Sequence, residues 1–177
     1  MADALDAANR ARFARDAPLA VVSVASGCAA HLTEAHPGVP VRELCDFVAE
    51  WLPRSGLAPR ALRLRVCLHL PCSQRYPGPG GAVVERLLAA IPGLQWEPLD
   101  AGYGCCGAAG IQMLTRDALA ARLVGPLVSQ LRSARPDRVV SSNIGCALHL
   151  AASWDDGTPV THPVSLLVEA LSGGDVE

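Results

Sequence analysis

The sequence contains no lysine: its 15 basic residues are all arginine, set against 17 acids for a net charge of −2. A chain without a cationic excess lacks the electrostatic footprint that phosphate backbones demand, which excludes nucleic acid as a partner. Charge of either sign is scarce at 18%, while half the residues are apolar. That is too little charge for a disordered polymer and enough apolar material for one buried core in 177 residues. No apolar stretch reaches the roughly 20 residues that span a bilayer, so no transmembrane segment is expected. The nearest thing to a leader is the uncharged run 17–30 behind Arg10, Arg12 and Arg15. Pro18, Ser23, Ser26 and Gly27 interrupt it, and it reads as a buried strand. The chain also lacks any Cys-x-x-Cys pair, although it has seven cysteines. An odd count without a secretory leader disfavours a disulfide scaffold.

What is present is an alternation of short β-branched runs with helical periodicities. This pattern predicts a three-layer, Rossmann-like α/β domain with a short, mostly parallel sheet. Candidate strands lie at 19–24, 62–68, 94–99 and 138–142. Pro40 is placed to open a helix whose apolar face is Val41, Leu44, Cys45, Val48 and Leu52. A second helix follows Val83, Val84, Leu87, Leu88 and Ile91, and a third runs from Leu119 to Leu131 with an expected kink or break at Gly125-Pro126. A last helix starts near Pro163; residues 77–81 read as a loop and the tail from Ser172 as frayed. Residues 21–32 (VVSVASGCAAHL) and 139–150 (VVSSNIGCALHL) agree at eight of twelve positions, which marks an internal repeat in which each strand ends on Gly-Cys-x-x-His.

Cys45 on a helix face and Cys67 inside a strand read as small core hydrophobes. The other five, Cys28, Cys72, Cys105, Cys106 and Cys146, sit where strands give way to loops. Ligands of open α/β sheets gather at that end. Cys72, Cys105, Cys106 and Cys146, converging from three loops, satisfy the coordination of one [4Fe–4S] cluster. Glycines 102, 104 and 107 let the backbone approach a bulky inorganic group, and His149 is a candidate fifth ligand or hydrogen-bond donor to a sulfide. Zinc accepts the same thiolates and imidazoles and is the alternative, although its usual paired knuckles are missing. Gly102-Tyr-Gly104-Cys-Cys-Gly107 fits a dinucleotide fingerprint only in form, since no acidic residue follows at the required place. A nucleophilic Cys106 is a further rival without an assigned histidine. His36 reads as a loop surface group, His69 as strand-end packing and His162 as a neighbour of a helix N-cap.

These residues resemble the cysteine-rich CCG domain of glycolate oxidase iron-sulfur subunits, shared with the cysteine-rich subunit of heterodisulfide reductases and with lactate-utilisation proteins. The carriers are Ala25-Ser26-Gly27-Cys28, His69-Leu70-Pro71-Cys72, Cys105-Cys106-Gly107-Ala108-Ala109-Gly110, Ser142-Asn143-Ile144-Gly145-Cys146-x-x-His149-Leu150 and His162-Pro163. The resemblance implies that Cys72, Cys105, Cys106 and Cys146 are cluster ligands. His149 stands where the family pattern has its last cysteine, which favours an ordinary four-thiolate cluster over the five-thiolate, non-cubane type. Intact family subunits resemble two CCG repeats behind a ferredoxin-like segment with two Cys-x-x-Cys-x-x-Cys-x-x-x-Cys-Pro runs, and neither run is found here. The implied division is a closing piece of a first repeat at 1–32, a complete second repeat at 33–171 packed with it, and a frayed tail at 172–177. Cys28 and His31 are then an orphan half-site. The implied role is electron relay from flavin-containing glycolate oxidase subunits to a quinone-type acceptor, not catalytic alone. A separately encoded, N-terminal ferredoxin-like half would be a further partner, and the location cytoplasmic or peripheral to the inner face of the membrane. A metal-free remnant docking on the flavin subunits is the non-redox alternative.

Overall fold

The computed structural model describes residues 2–36, 38–75, 80–102 and 104–172. The elements are α1 (Ala2–Asp16), β1 (Val21–Ser23), α2 (Ser26–Ala35), β2 (Val41–Glu43), α3 (Leu44–Ser55), β3 (Arg65–His69), α4 (Cys72–Arg75) and α5 (Gly80–Ala89). They continue as β4 (Gln95–Pro98), α6 (Gln112–Thr115), α7 (Asp117–Ala134), β5 (Arg138–Ser141), α8 (Ile144–Ser153), β6 (Val160–Thr161) and α9 (Pro163–Ser172). The main sheet has the order β4-β3-β5-β6 and every pairing in it is parallel. Side chains alternate across it as a pleated strand requires. Val66, Leu68 and Val140 join Leu87, Leu88 and Leu167 of α5 and α9 on one face. Cys67 and Val139 join Leu127 and Leu131 of α7 and Leu150 of α8 on the other. A sheet buried on both faces between helices is a three-layer α/β domain. Among the described residues no helix is long and apolar enough to cross a membrane.

The four strands expected from sequence are there, each shortened at one or both ends. Residues 41–43 are not the first turn of a helix but a strand. They pair in parallel with β1, and Glu43 then caps α3 by accepting the Cys45 amide at 2.8 Å. Gly125-Pro126 does not break α7, which runs unbroken from Asp117 to Ala134. The carbonyl that Pro126 leaves without its helical partner belongs to Arg122, an exposed residue, and Gly125 offers no Cβ to the proline ring. Of the expected loop 77–81, Gly80 and Gly81 begin α5; 77–79 lie outside the described residues, as does the tail beyond Ser172. The N-terminal helix α1 was not foreseen. Its Phe13 ring meets His36 edge-on at 5.2 Å, which buries His36 to 3% exposure and corrects its reading as a surface group.

The twelve-residue sequence repeat is the visible part of a longer structural one. β1-α2-β2-α3 and β5-α8-β6-α9 share connectivity and register, Val21 pairing with Val41 as Val139 pairs with Val160. The Gly-Cys-x-x-His segments do not end strands but lie in the first two turns of α2 and α8. The residues before those helices have the same backbone, Ala25 at φ −129°, ψ 121° and Asn143 at φ −127°, ψ 122°. Both helices are ten residues long, and their capping amides, of His36 and Trp154, bond to Leu32 and Leu150.

Candidate metal centre

The chain leaves β3 for β4 on one side of the sheet and returns to β5 on the other, so the connections leaving the carboxyl ends of β3 and β5 part company there. Such a switch point opens a crevice beyond the strand ends. Cys72 starts α4 directly after β3, Cys105 and Cys106 lie in the connection from β4, and Cys146 sits in the first turn of α8 after β5. Asn143 fixes that turn, its side-chain carbonyl accepting the amides of Gly145 at 3.0 Å and Cys146 at 3.4 Å. Ser142 Oγ donates to Gln74 Oε1 at 2.6 Å, binding the end of β5 to α4. In the connection from β4, Gly107 has φ +90°, and a Cβ there would stand 2.8 Å from the Ala120 carbonyl oxygen. Glycine is therefore required by the contact with α7, which corrects the expectation that it makes room for an inorganic group.

The four expected thiols lie near enough to act on one another: Cys106 and Cys72 both raise Cys105, and the charges of Cys106, Cys72 and Cys105 all act on Cys146. The sulfurs of Cys106 and Cys146 and a ring nitrogen of His69 lie within 4.8 Å of one another, all three residues buried. The neighbouring Cys146 pulls Cys106 down from the usual thiol range despite its burial; His69 and the Ala108 amide add to this. Cys106, with burial, pushes Cys146 up. Burial raises Cys105, against the Gly107 amide, which donates to its sulfur at 3.3 Å.

His149, expected beside the sulfurs, has its Nε2 3.3 Å from the Ala120 carbonyl oxygen of α7. His69 stands at the sulfurs instead, at 1% exposure and with Nδ1 3.1 Å from Ser141 Oγ. Its position at the carboxyl end of β3, three residues before Cys72, was the available signal, and reading it as strand-end packing missed it. Cys28 is exposed on α2, and His31, also exposed, pairs with Asp6 of α1 at 3.2 Å. Cys45 and Cys67 are buried as expected. The Cys67 thiol faces Glu97 at 3.7 Å, and burial followed by that carboxylate pushes it up to about 12.

Residues 66–151 match the family model described as CCG, cysteine-rich domain. More particularly, the chain is 30% identical over 165 residues to the glycolate oxidase iron-sulfur subunit of Escherichia coli K12, covering 86% of this chain and 40% of that one. It is 28% identical over 155 residues to a subunit of the fumarate reductase (CoM/CoB) of Methanothermobacter marburgensis, covering 85% and 31%. The chain therefore spans well under half the length of either relative. Among solved structures, an aspartate racemase of Picrophilus torridus aligns at TM-score 0.47 and 13% identity over 88% of this chain and 61% of that one. That likeness is too loose to bear on activity.

Proposed function

We propose that this chain is an iron-sulfur electron-transfer domain in which Cys72, Cys105, Cys106 and Cys146 hold one [4Fe–4S] cluster. What supports the reading is that four thiols from three separate connections act on one another at one switch point. The donor chemistry fits, since such clusters are held by four cysteine thiolates and Cys106 is already inclined to give up its proton. When bound, the cluster takes up and returns single electrons. The chain's own residues hold the sulfurs in place. Asn143 orients Cys146, the packing of Gly107 on α7 sets the vicinal pair, and Ser141 holds the ring of His69 against two of the sulfurs. His149 we assign to tying α8 to α7 rather than to iron.

By extension from the Escherichia coli relative, the electrons come from a flavin-containing subunit that oxidises glycolate or another 2-hydroxy acid, and leave toward a quinone-type acceptor, at the cytoplasmic face of a membrane. The Methanothermobacter relative is named for a different substrate, which supports placing specificity in the partner and not in this domain. We read residues 21–55 as the closing piece of one cysteine-rich repeat and residues 56–172 as a complete second one. This moves the boundary from residue 32 to Ser55, because β2 and α3 repeat β6 and α9. Anaerobic reconstitution with iron and sulfide tests the reading: a brown protein with about four irons and four sulfides per chain is expected. Zinc is the second reading, favoured by the His69, Cys106 and Cys146 grouping, and it gives a colourless protein with one metal. A chain that binds its flavin partner equally well after Cys105→Ser and Cys106→Ser, without metal, overturns both.

A further inference from the structure

We propose that Glu43, Cys45 and His162 form a second metal site, distinct from the four-thiol centre, that takes a divalent cation of the zinc class. Glu43 and His162 occupy matching places in the structural repeat. Glu43 ends its short strand and His162 directly follows its own, and each receives the second amide of the next helix, Cys45 N–H to Glu43 Oε2 at 2.8 Å and Val164 N–H to His162 Nδ1 at 3.2 Å. The two units meet at these positions, so that a carboxylate oxygen, a ring nitrogen and the Cys45 sulfur lie within 4.8 Å of one another. Equivalent residues in mutual contact are what a two-fold relation between the units produces.

Several polar atoms here are buried and without a hydrogen-bond partner: Glu43 Oε1, His162 Nε2 and, next in the chain, Thr161 Oγ1. Glu43 itself is 9% exposed. Buried polar groups are satisfied in the great majority of proteins, so such a group of orphans calls for an occupant. Among the described residues no ion pair engages Glu43, and the adjacent Arg42 is turned to Glu50 at 2.7 Å. A thiol, an imidazole and a carboxylate together suit zinc, whereas magnesium and calcium want oxygen alone. Tetrahedral zinc places such donors roughly 3.3–3.7 Å apart, so donors within 4.8 Å of one another need to draw in by at most about 1.5 Å. An apolar cleft of 430 Å³, lined by Leu44, Thr161, His162 and Val164 among others, borders the site and gives an entry path and a fourth position. Binding through Nε2 moves the ring proton to Nδ1, so loading releases the Val164 amide from its cap.

The test uses the whole chain after cluster reconstitution, titrated with zinc chloride, with iron, sulfide and zinc counted separately. One zinc per chain beyond the iron is expected. Glu43→Gln and His162→Gln each retain an oxygen that caps the following helix, and each is expected to weaken that binding by more than the roughly 10–100-fold that loss of an outer-shell partner causes. Iron content is expected to be unchanged. Cobalt as the probe, added to the iron-loaded chain, is expected to show thiolate charge-transfer absorption that Cys45→Ala removes. Faster exchange of the Val164 amide on zinc loading is the expected readout of the cap. No zinc uptake by the unmodified chain, or equal uptake by both Gln variants, overturns the proposal.

Discussion

Replacing Gly107 by alanine places a methyl group where the structure has no room for one. The new Cβ would lie 2.8 Å from the Ala120 carbonyl oxygen, 3.0 Å from Ala120 Cα and 3.0 Å from Leu123 Cβ, at φ +90°. Two of those three neighbours are α7 backbone, and α7 is anchored by the fully buried Leu127 and Leu131, so neither helix nor loop yields cheaply. The left-handed backbone costs about 1–3 kcal/mol and the overpacking about 1–3 kcal/mol more. Gly110 supplies the control, since it has φ +64° but nothing within 4 Å of a Cβ, and it isolates the backbone part. Urea denaturation of the metal-free chain is the assay. Gly107→Ala is expected to be less stable than Gly110→Ala by about 1–3 kcal/mol, a midpoint shift of about 0.5–1.5 M at an m-value of about 2 kcal/mol/M. Because Cys106 precedes Gly107, reconstituted iron should fall in the first variant and not in the second. Equal midpoints for the two variants would refute the argument that α7 contact, rather than backbone conformation alone, demands this glycine.

Alanine at any one of Cys72, Cys105, Cys106 or Cys146 should strip most of the bound iron, while Cys28→Ala should leave it; iron retained by Cys106→Ala contradicts the ligand set. Alkylation of the native metal-free chain, read by mass spectrometry, should mark the exposed Cys28 and Cys72 first and spare Cys45 and Cys67, which burial raises above the thiol range. Cys67 also gives a pH dependence. Its thiol ionises near 9.0 when unperturbed and near 12 in the folded chain, so above the first value the unfolded state has lost a proton that the native state keeps. Stability should therefore fall as pH rises between those values, and Cys67→Val should flatten the slope of the denaturation midpoint against pH. Asn143→Ala removes the cap of α8 and should cost about 1 kcal/mol together with some iron retention, and an unchanged midpoint would remove the capping argument.

The parts of the fold legible in the sequence are those where one physical signal dominates. β3 and β5 are buried on both faces and read as apolar runs; α7 and α9 repeat their apolar residues at helical spacing. Val41–Glu43 went the other way because Val41, Leu44, Cys45 and Val48 continue one helical face backwards through a strand only three residues long. Two-residue β6 carries almost no signal of its own. Pro126 misled because a proline's cost depends on whether water reaches the carbonyl it orphans, which is a property of the folded surface. The placement of Cys72, Cys105, Cys106 and Cys146 beyond the strand ends was legible in the sequence. His69 was not, since a histidine closing a buried strand is more often packed than placed, and only the register of β3 against β5, which sets it beside Ser141, shows where the ring goes.

The repeat separates a motif from a site. Gly27-Cys28-x-x-His31 and Gly145-Cys146-x-x-His149 share residue types, helix length and capping backbone, yet their chemistry diverges with what surrounds them. Cys146 is buried against Cys106 and His69, and His149 rests on the α7 backbone. Cys28 faces solvent, and His31 pairs with Asp6 on α1. The difference lies beyond the β-α unit itself: β5 lies against β3, whose end delivers His69 and Cys72, while among the described residues β1 pairs with β2 alone. The helix N-terminus offers a cysteine in both places, but other sulfurs gather near it only where a neighbouring strand and the loop beyond the next one deliver them. The surroundings of each cysteine are therefore set by strand neighbours rather than by the local Gly-Cys-x-x-His code. A segment that paired with the other edge of β1 and carried its own cysteine at its carboxyl end would place that sulfur beside Cys28.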